Sequence, residues 1–396
     1  MTASKMENII WSIGHKLELT DIVKADNCHL YDSKGNKYID LESGVWCTSV
    51  GHCNPRVNAV IQSQINKIIH SGFCYANPVI EKTARKILEI TKLNEGKCEF
   101  ICSGSEAVEY SMRVAKTITD KPLTLTFSDS YFGAYGEASK RDNEKWHLYN
   151  WLDCSCNTNE DGCTGECKEF NSIPFDRIGI FLFEPGSSSG LVRFPSDKLI
   201  NKIINRIRSN NGIIIINEIT TGIGRTGKWF GFQHYDIDPD IVAIGKGVGN
   251  GYPISITAIS KNIALQLEKK PYLYSQSHQN DPLGALIANE VIDTIKDENL
   301  LGRSVRLGNK ITSRLNDIKA AGSIIKAIRG RGLMIAIELS GQAELVCKEL
   351  LSQGFILVKR AGVEVLRMDP ALTIEEKDLD SFLTVFEKII RKAEKG

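Results

Sequence analysis

The sequence has almost no net charge: 49 Lys and Arg stand against 48 Asp and Glu, a formal +1. A dedicated nucleic-acid binder shows a basic face and a high pI, and a polybasic membrane anchor shows clustered cations, so neither partner is expected. Long apolar runs are missing too. Stretches such as 178–183 and 213–216 are short, far below the roughly 18 residues of a spanning helix. The opening MTASKMENIIWSIGHKLE holds too small an apolar run for a signal-peptide core. Internal repeats and low-complexity tails are also lacking. Together these absences predict a cytoplasmic protein with no membrane and no nucleic-acid partner.

What is present is a chain of 396 residues, 42% hydrophobic and 24% charged. That is ordinary globular composition, long enough for two or three domains with a large core. A reducing compartment disfavours disulfides among the 11 cysteines. Seven are scattered, as small apolar residues are. Cys154, Cys156, Cys163 and Cys167 instead share one polar stretch, 153–169, which reads as an insertion between two strands.

Apolar spacing predicts helices over 55–70, 78–93 and 104–119, over most of 283–320, and over 379–395. Short apolar, β-branched runs at 99–102, 123–127, 178–183, 212–216, 241–244 and 254–259 read as strands. Strands of that kind alternating with helices indicate an α/β fold whose parallel sheet is buried on both faces. Runs at 324–329, 333–338 and 355–358 suggest a smaller α+β unit.

Three segments carry possible chemistry. Ser103 and Glu106 have capping-box spacing at the start of a helix, with Gly104 between them. A helix N-terminus is a phosphate site, and equally a plain capped helix. Asn217 and Glu218 stand at the carboxyl end of an apolar strand and point to opposite faces. Such ends bind ligands in parallel sheets, though Asn is also a common turn former. Lys246 follows the next strand among glycines, where a lysine can be an amine nucleophile or simply a solvated cation.

In that order, phosphate turn, strand-end polar residue and Gly-Lys, the segments resemble the pyridoxal phosphate (PLP) enzymes of the aspartate-aminotransferase fold. The finer text resembles the class III aminotransferases, the acetylornithine, ornithine and 4-aminobutyrate group. The matching spans are LYDSKGNKYIDLESGVWCTSVGHCNPRV, ICSGSEAVEYSMRVAK, INEITTGIGRTGKWFGFQHYDIDPDIVAIGKGVGNGYPIS and VLRMDPALTI. The resemblance implies PLP fold type I, with a mainly parallel seven-stranded-type sheet in a large domain, 46–290. Residues 1–45 and 291–396 would form the small domain. It implies that Lys246 forms the Schiff base with PLP and shuttles the Cα proton. Ser103, Gly104 and Ser105 would hold the phosphate. Tyr131 would stack on the ring, with Phe132, Asn217 and Thr220 also against the cofactor. Ser277 would reach the phosphate of a neighbouring subunit, so a homodimer is implied. Arg367 would hold a substrate carboxylate, with Glu184 able to pair with it as a gate.

The chain departs from the family in several places. Asn217 stands where the family has an Asp facing the pyridine nitrogen. A carboxylate there keeps the ring protonated and the electron sink deep; a neutral amide supplies no charge. Thr220 replaces a Gln, Ala134 an Arg of glutamate-linked members, and Gly186-Ser-Ser-Ser-Gly190 the usual Val-Gln-Gly-Glu-Gly. The four clustered cysteines suit one tetrahedral ion, zinc first, with an iron–sulfur cluster or unliganded thiols as alternatives. The expected activity is amino transfer between an amine or amino acid and a 2-oxo acid. Asn217 gives weight to an epimerase, racemase, lyase or aminomutase acting at Cα. A binding protein on a decayed fold is a third reading, and the intact Lys246 argues against it.

Overall fold

A computed structural model describes residues 8–394 except 13–15, 73, 157–162, 164 and 323. Part of the cysteine-rich stretch therefore lies outside the described residues. No helix among the described residues is long and apolar enough to cross a membrane.

The large sheet has seven strands, in the order Lys97–Ile101, Ser255–Ile259, Ile241–Ile244, Ile213–Asn217, Ile178–Phe183, Leu123–Phe127, Trp146–Tyr149. All pairs are parallel except those made by Ser255–Ile259, which runs antiparallel to both neighbours. An antiparallel strand buried on both faces carries the same apolar run as a parallel one, so composition does not reveal its direction. Ile213 and Ile215 face one hydrophobic cluster with the helix Gly104–Ile118. Ile214 and Ile216 face the other, with the helix Asp197–Ser209. The mainly parallel, doubly covered sheet follows from these Ile-rich strands.

The remaining strands form two smaller sheets. Ile325–Arg331, Met334–Leu339, Val365–Met368 and Val358–Lys359 make one of four strands. In the other, the N-terminal hairpins Ile22–Asp26, His29–Asp32 and Lys37–Asp40 gain Phe355–Ile356 as a parallel fourth strand. The N-terminal segment thus joins the C-terminal part through backbone hydrogen bonds. A boundary after residue 290 falls inside the helix Pro282–Asp297, which packs on the helices Pro55–Ile65 and Pro78–Thr91.

Helix starts match their caps. Asn54, Asn77, Ser196, Ser260 and Asp281 each accept a first-turn N–H, and Pro follows at Pro55, Pro78 and Pro282. The helix expected over 55–70 stops at Ile65. Its pattern runs on, but Ile65, Ile68 and Ile69 remain partly exposed.

Candidate active site

Four adjacent parallel strands, Leu123–Phe127, Ile178–Phe183, Ile213–Asn217 and Ile241–Ile244, end on one side of the sheet. At or just beyond their carboxyl ends lie Tyr131, Glu184, Asn217 and Lys246. This is where open parallel sheets hold ligands.

Lys246 opens the 3-10 turn Lys246–Gly249 with φ at 48°, in the left-handed region. Its Nζ donates to Thr220 Oγ1 at 3.1 Å and lies 4.8 Å from the centre of the Trp46 ring. Burial pushes the amine's pKa down to about 8, with Arg367 and Arg360 acting in the same direction against Cys47 and Glu184. The lysine is therefore a nucleophile close to neutrality rather than a solvated cation.

Ser103 caps the helix Gly104–Ile118, its Oγ accepting the Glu106 N–H at 3.2 Å. Glu106 Oε2 reaches back to the Cys102 N–H at 2.9 Å, one residue earlier than a standard capping box. The Gly104 and Ser105 N–H groups sit in the first turn, where the helix offers them no acceptor. Ser105 Oγ accepts the Ala134 N–H at 3.0 Å. Gly104 is a glycine for packing: a Cβ there would lie 2.8 Å from Ile219 Cγ2, beside the strand that carries Asn217. A Cβ on Gly245 would lie 3.5 Å from Gly104 Cα, so the lysine turn and the helix start are in contact.

Asn217 is buried. Its Nδ2 donates to the Tyr131 carbonyl at 3.1 Å and to Glu184 Oε1 at 3.3 Å, and its Oδ1 accepts the Ile219 N–H at 3.2 Å. Glu184 also accepts the Tyr131 N–H at 2.9 Å and the Ser188 hydroxyl at 2.6 Å. Burial raises the Glu184 pKa to about 7 against these donors. The Gly186–Gly190 departure thus supplies Glu184 with a hydroxyl. Glu218 turns away, as strand alternation requires, and accepts from Thr221, Gly231 and Phe232. Phe132 turns into the core and stacks on Trp146, with 6.4 Å between ring centres. The Tyr131 side chain is half exposed, and Ser277 is exposed on a turn.

Arg367 is fully buried on the strand Val365–Met368. Here its Nη2 pairs with Asp369 Oδ1 at 2.9 Å, not with Glu184. Its Nε and Nη1 have no hydrogen-bond partner among the described residues. Its guanidinium lies 4.8 Å from the Trp46 ring centre, and that of Arg360 lies 4.6 Å away. Trp46 therefore stands among three basic side chains, Lys246, Arg360 and Arg367. Sequence reasoning assigned no role to Trp46, Arg360 or Asp369.

Trp46 is presented by a left-handed turn. Ser43, Gly44, Val45 and Trp46 have φ of 46°, 57°, 59° and 67°. Asp40 holds it, accepting the Glu42 N–H at 2.8 Å, the Gly44 N–H at 2.9 Å and His52 Nε2 at 2.9 Å. Ser43 Oγ donates to the Asp369 carbonyl at 2.8 Å. The only sequence signal was Gly44 within the quoted N-terminal span.

The cysteines Cys154, Cys156, Cys163 and Cys167 do converge, with all sulfurs within 4.8 Å of one another. None of the chain's cysteines is in a disulfide.

The "Aminotransferase class-III" family profile matches residues 12–390. A leucine/methionine racemase of Thermococcus litoralis is 30% identical over 94% of this chain and 91% of its own. An acetylornithine aminotransferase of Archaeoglobus fulgidus is 28% identical over 92% and 94%. In structure, an S-selective transaminase from Arthrobacter sp. superposes with a TM-score of 0.89 over 98% of this chain and 96% of that one, at 20% identity.

Proposed function

The chain belongs to the class III aminotransferase family, and from that premise we propose that it moves an amino group between an amino acid and a 2-oxo acid with PLP held at Lys246. The observation that carries this reading is Lys246 itself, an enclosed amine with a pKa near 8, in a turn that touches a helix N-terminus. The residues fit the cofactor. The first-turn N–H groups of Gly104 and Ser105 and the Ser105 hydroxyl suit a phosphate. Asn217 and Thr220 offer hydrogen bonds to a ring, and the exposed face of Tyr131 offers a stacking surface.

Bound PLP supplies an aldehyde that captures the substrate nitrogen and a ring that draws electrons from its Cα. The protein does the rest. Lys246 Nζ, its pKa lowered to about 8, takes the Cα proton as the free amine, with Thr220 Oγ1 to orient it. Arg367 Nε and Nη1, buried and without a partner among the described residues, receive a substrate carboxylate. Trp46 closes the pocket against water beside Lys246.

A second reading is supported by Asn217 and by the racemase relative: return of the proton to Cα on the opposite face, without amino transfer. A homodimer that shares Ser277 and a cytoplasmic location belong to the same proposal. Exposed Ile68, Ile69, Tyr75 and Leu273 support the first.

The test is incubation of purified enzyme with single L-amino acids and a 2-oxo acid acceptor. A new 2-oxo acid supports transfer. D-amino acid without 2-oxo acid supports racemisation. Lys246→Ala is expected to abolish both, and borohydride reduction should place the cofactor on the Lys246 peptide. A label on another lysine overturns the assignment.

A further inference from the structure

The four sulfurs of Cys154, Cys156, Cys163 and Cys167 are separated by 3.7, 3.4 and 3.8 Å in chain order. One ion bound tetrahedrally at about 2.3 Å from each thiolate sets sulfurs about 3.8 Å apart. Three of the six edges of such a cage are thus at one-metal spacing, and all lie within 4.8 Å. An iron–sulfur cluster interposes several atoms and holds its cysteines further apart.

Hydrogen-bond donors point at two of the sulfurs. The Gly165 N–H donates to Cys163 Sγ at 3.4 Å, and the Phe170 N–H to Cys167 Sγ at 3.4 Å. The Tyr149 hydroxyl stands 3.2 Å from Cys163 Sγ and 3.7 Å from Cys167 Sγ. Donors aimed at ligand sulfurs are what an outer shell around a metal supplies. Cys154, Cys163 and Cys167 are buried, and buried negative charge is costly unless a cation meets it.

We propose that these four cysteines bind one zinc ion with a structural role. All four positions of a tetrahedral ion are filled by protein, so none is left for substrate. The ion ties the end of the edge strand Trp146–Tyr149 to the body of the sheet. Ser196, the N-cap of the helix Asp197–Ser209, donates to the Cys163 carbonyl at 2.9 Å. That helix packs on the strands Ile178–Phe183 and Ile213–Asn217. On the other side Trp151 packs on Phe127, 6.1 Å between ring centres, at the end of the strand that leads to Tyr131. This site is independent of the amino-transfer reading and is tested without an activity assay.

Elemental analysis of protein purified without chelator should give about one zinc per chain. Cys163→Ser should lower it at least about tenfold and reduce the thermal midpoint. If that variant does not fold, Cys156→Ser, at the partly exposed rim, takes its place. Exchange of Co2+ into the wild-type enzyme should give the strong visible bands of a tetrahedral thiolate site. Zinc below about a tenth of an equivalent with no such bands overturns the proposal. So does stoichiometric iron in its place, or zinc content unchanged in both variants.

Discussion

Asn217 offers one amide nitrogen to two acceptors, the Tyr131 carbonyl and Glu184 Oε1. A carboxylate here would lose both bonds and stand beside a second carboxylate. Glu184 is already raised to a pKa of about 7 by burial. Two carboxylates sharing a site cannot both ionise freely, and one pKa climbs further. Asn217→Asp alone should therefore bind a proton rather than add a charge to the site, and its turnover should stay level or fall. Asn217→Asp with Glu184→Gln removes the conflict. A double-mutant cycle on kcat/KM should show a favourable interaction of about 1–3 kcal/mol. A cycle within about 0.3 kcal/mol of additivity would mean that the two side chains do not act together. Lys246 adds a pH signature. With its pKa lowered to about 8, the free amine fraction rises as pH rises through that value. Uptake of PLP aldehyde by the apoprotein should accelerate over the same range and level off above it, as stopped-flow absorbance would show.

The element that presents Trp46 is the least comfortable piece of backbone near the site. Four consecutive residues, Ser43 to Trp46, occupy the left-handed region, and Val45 is β-branched. Each L-residue there costs roughly 1–2 kcal/mol, and such strain persists where surrounding bonds over-determine it. Asp40, Ser43 and Arg225 provide those bonds; Arg225 Nη2 donates to Ser43 Oγ at 3.1 Å. Val45 is exposed, so Val45→Gly should raise stability by about 0.5–1 kcal/mol, the strain relief less the entropy of glycine. Gly44→Ala should lower it by about 1 kcal/mol. Its Cβ would meet nothing closer than 3.5 Å, so that cost is conformational and not steric. Urea midpoints at constant m-value check both signs. Only Gly44 hinted at this turn beforehand, because positive φ at Ser, Val and Trp leaves no residue-type signature. The long helices were legible, since their apolar spacing is periodic. The strands Ile22–Asp26 and Trp146–Tyr149 were not: the first is largely exposed and the second is a four-residue edge strand, so neither has a buried apolar run.

Across the whole molecule, the part of the site on the sheet was readable, and of the part built by the chain ends only Arg367 was. Lys246, Asn217 and Glu184 lie at or just beyond the ends of strands marked by apolar runs. Trp46 and Arg360 meet only because Lys37–Asp40 pairs with Phe355–Ile356, a contact of long sequence separation. The same tight assembly leaves acidic side chains buried, and this sets a pH dependence for the fold. Glu42, Glu99, Glu184 and Glu218 are each pushed up to about 7, above the ordinary 4.5, by burial first. A folded pKa above the unfolded one means the native state holds more protons between about 4.5 and 7. The stability each group contributes is complete below about 4.5 and is lost as pH rises through about 7. Glu218 tests this cleanly, because it is fully buried and faces away from Lys246. Its shift corresponds to about 3 kcal/mol across that window, at about 1.4 kcal/mol per unit. Glu218→Gln should lower stability overall, since the amide keeps one acceptor for the three donors Thr221, Gly231 and Phe232. The slope is the diagnostic, not the level. Urea unfolding at pH 5 and pH 7.5 should show a smaller loss of stability in Glu218→Gln than in wild type. An unchanged slope would mean that Glu218 is ionised throughout, held by its three donors against the cost of burial.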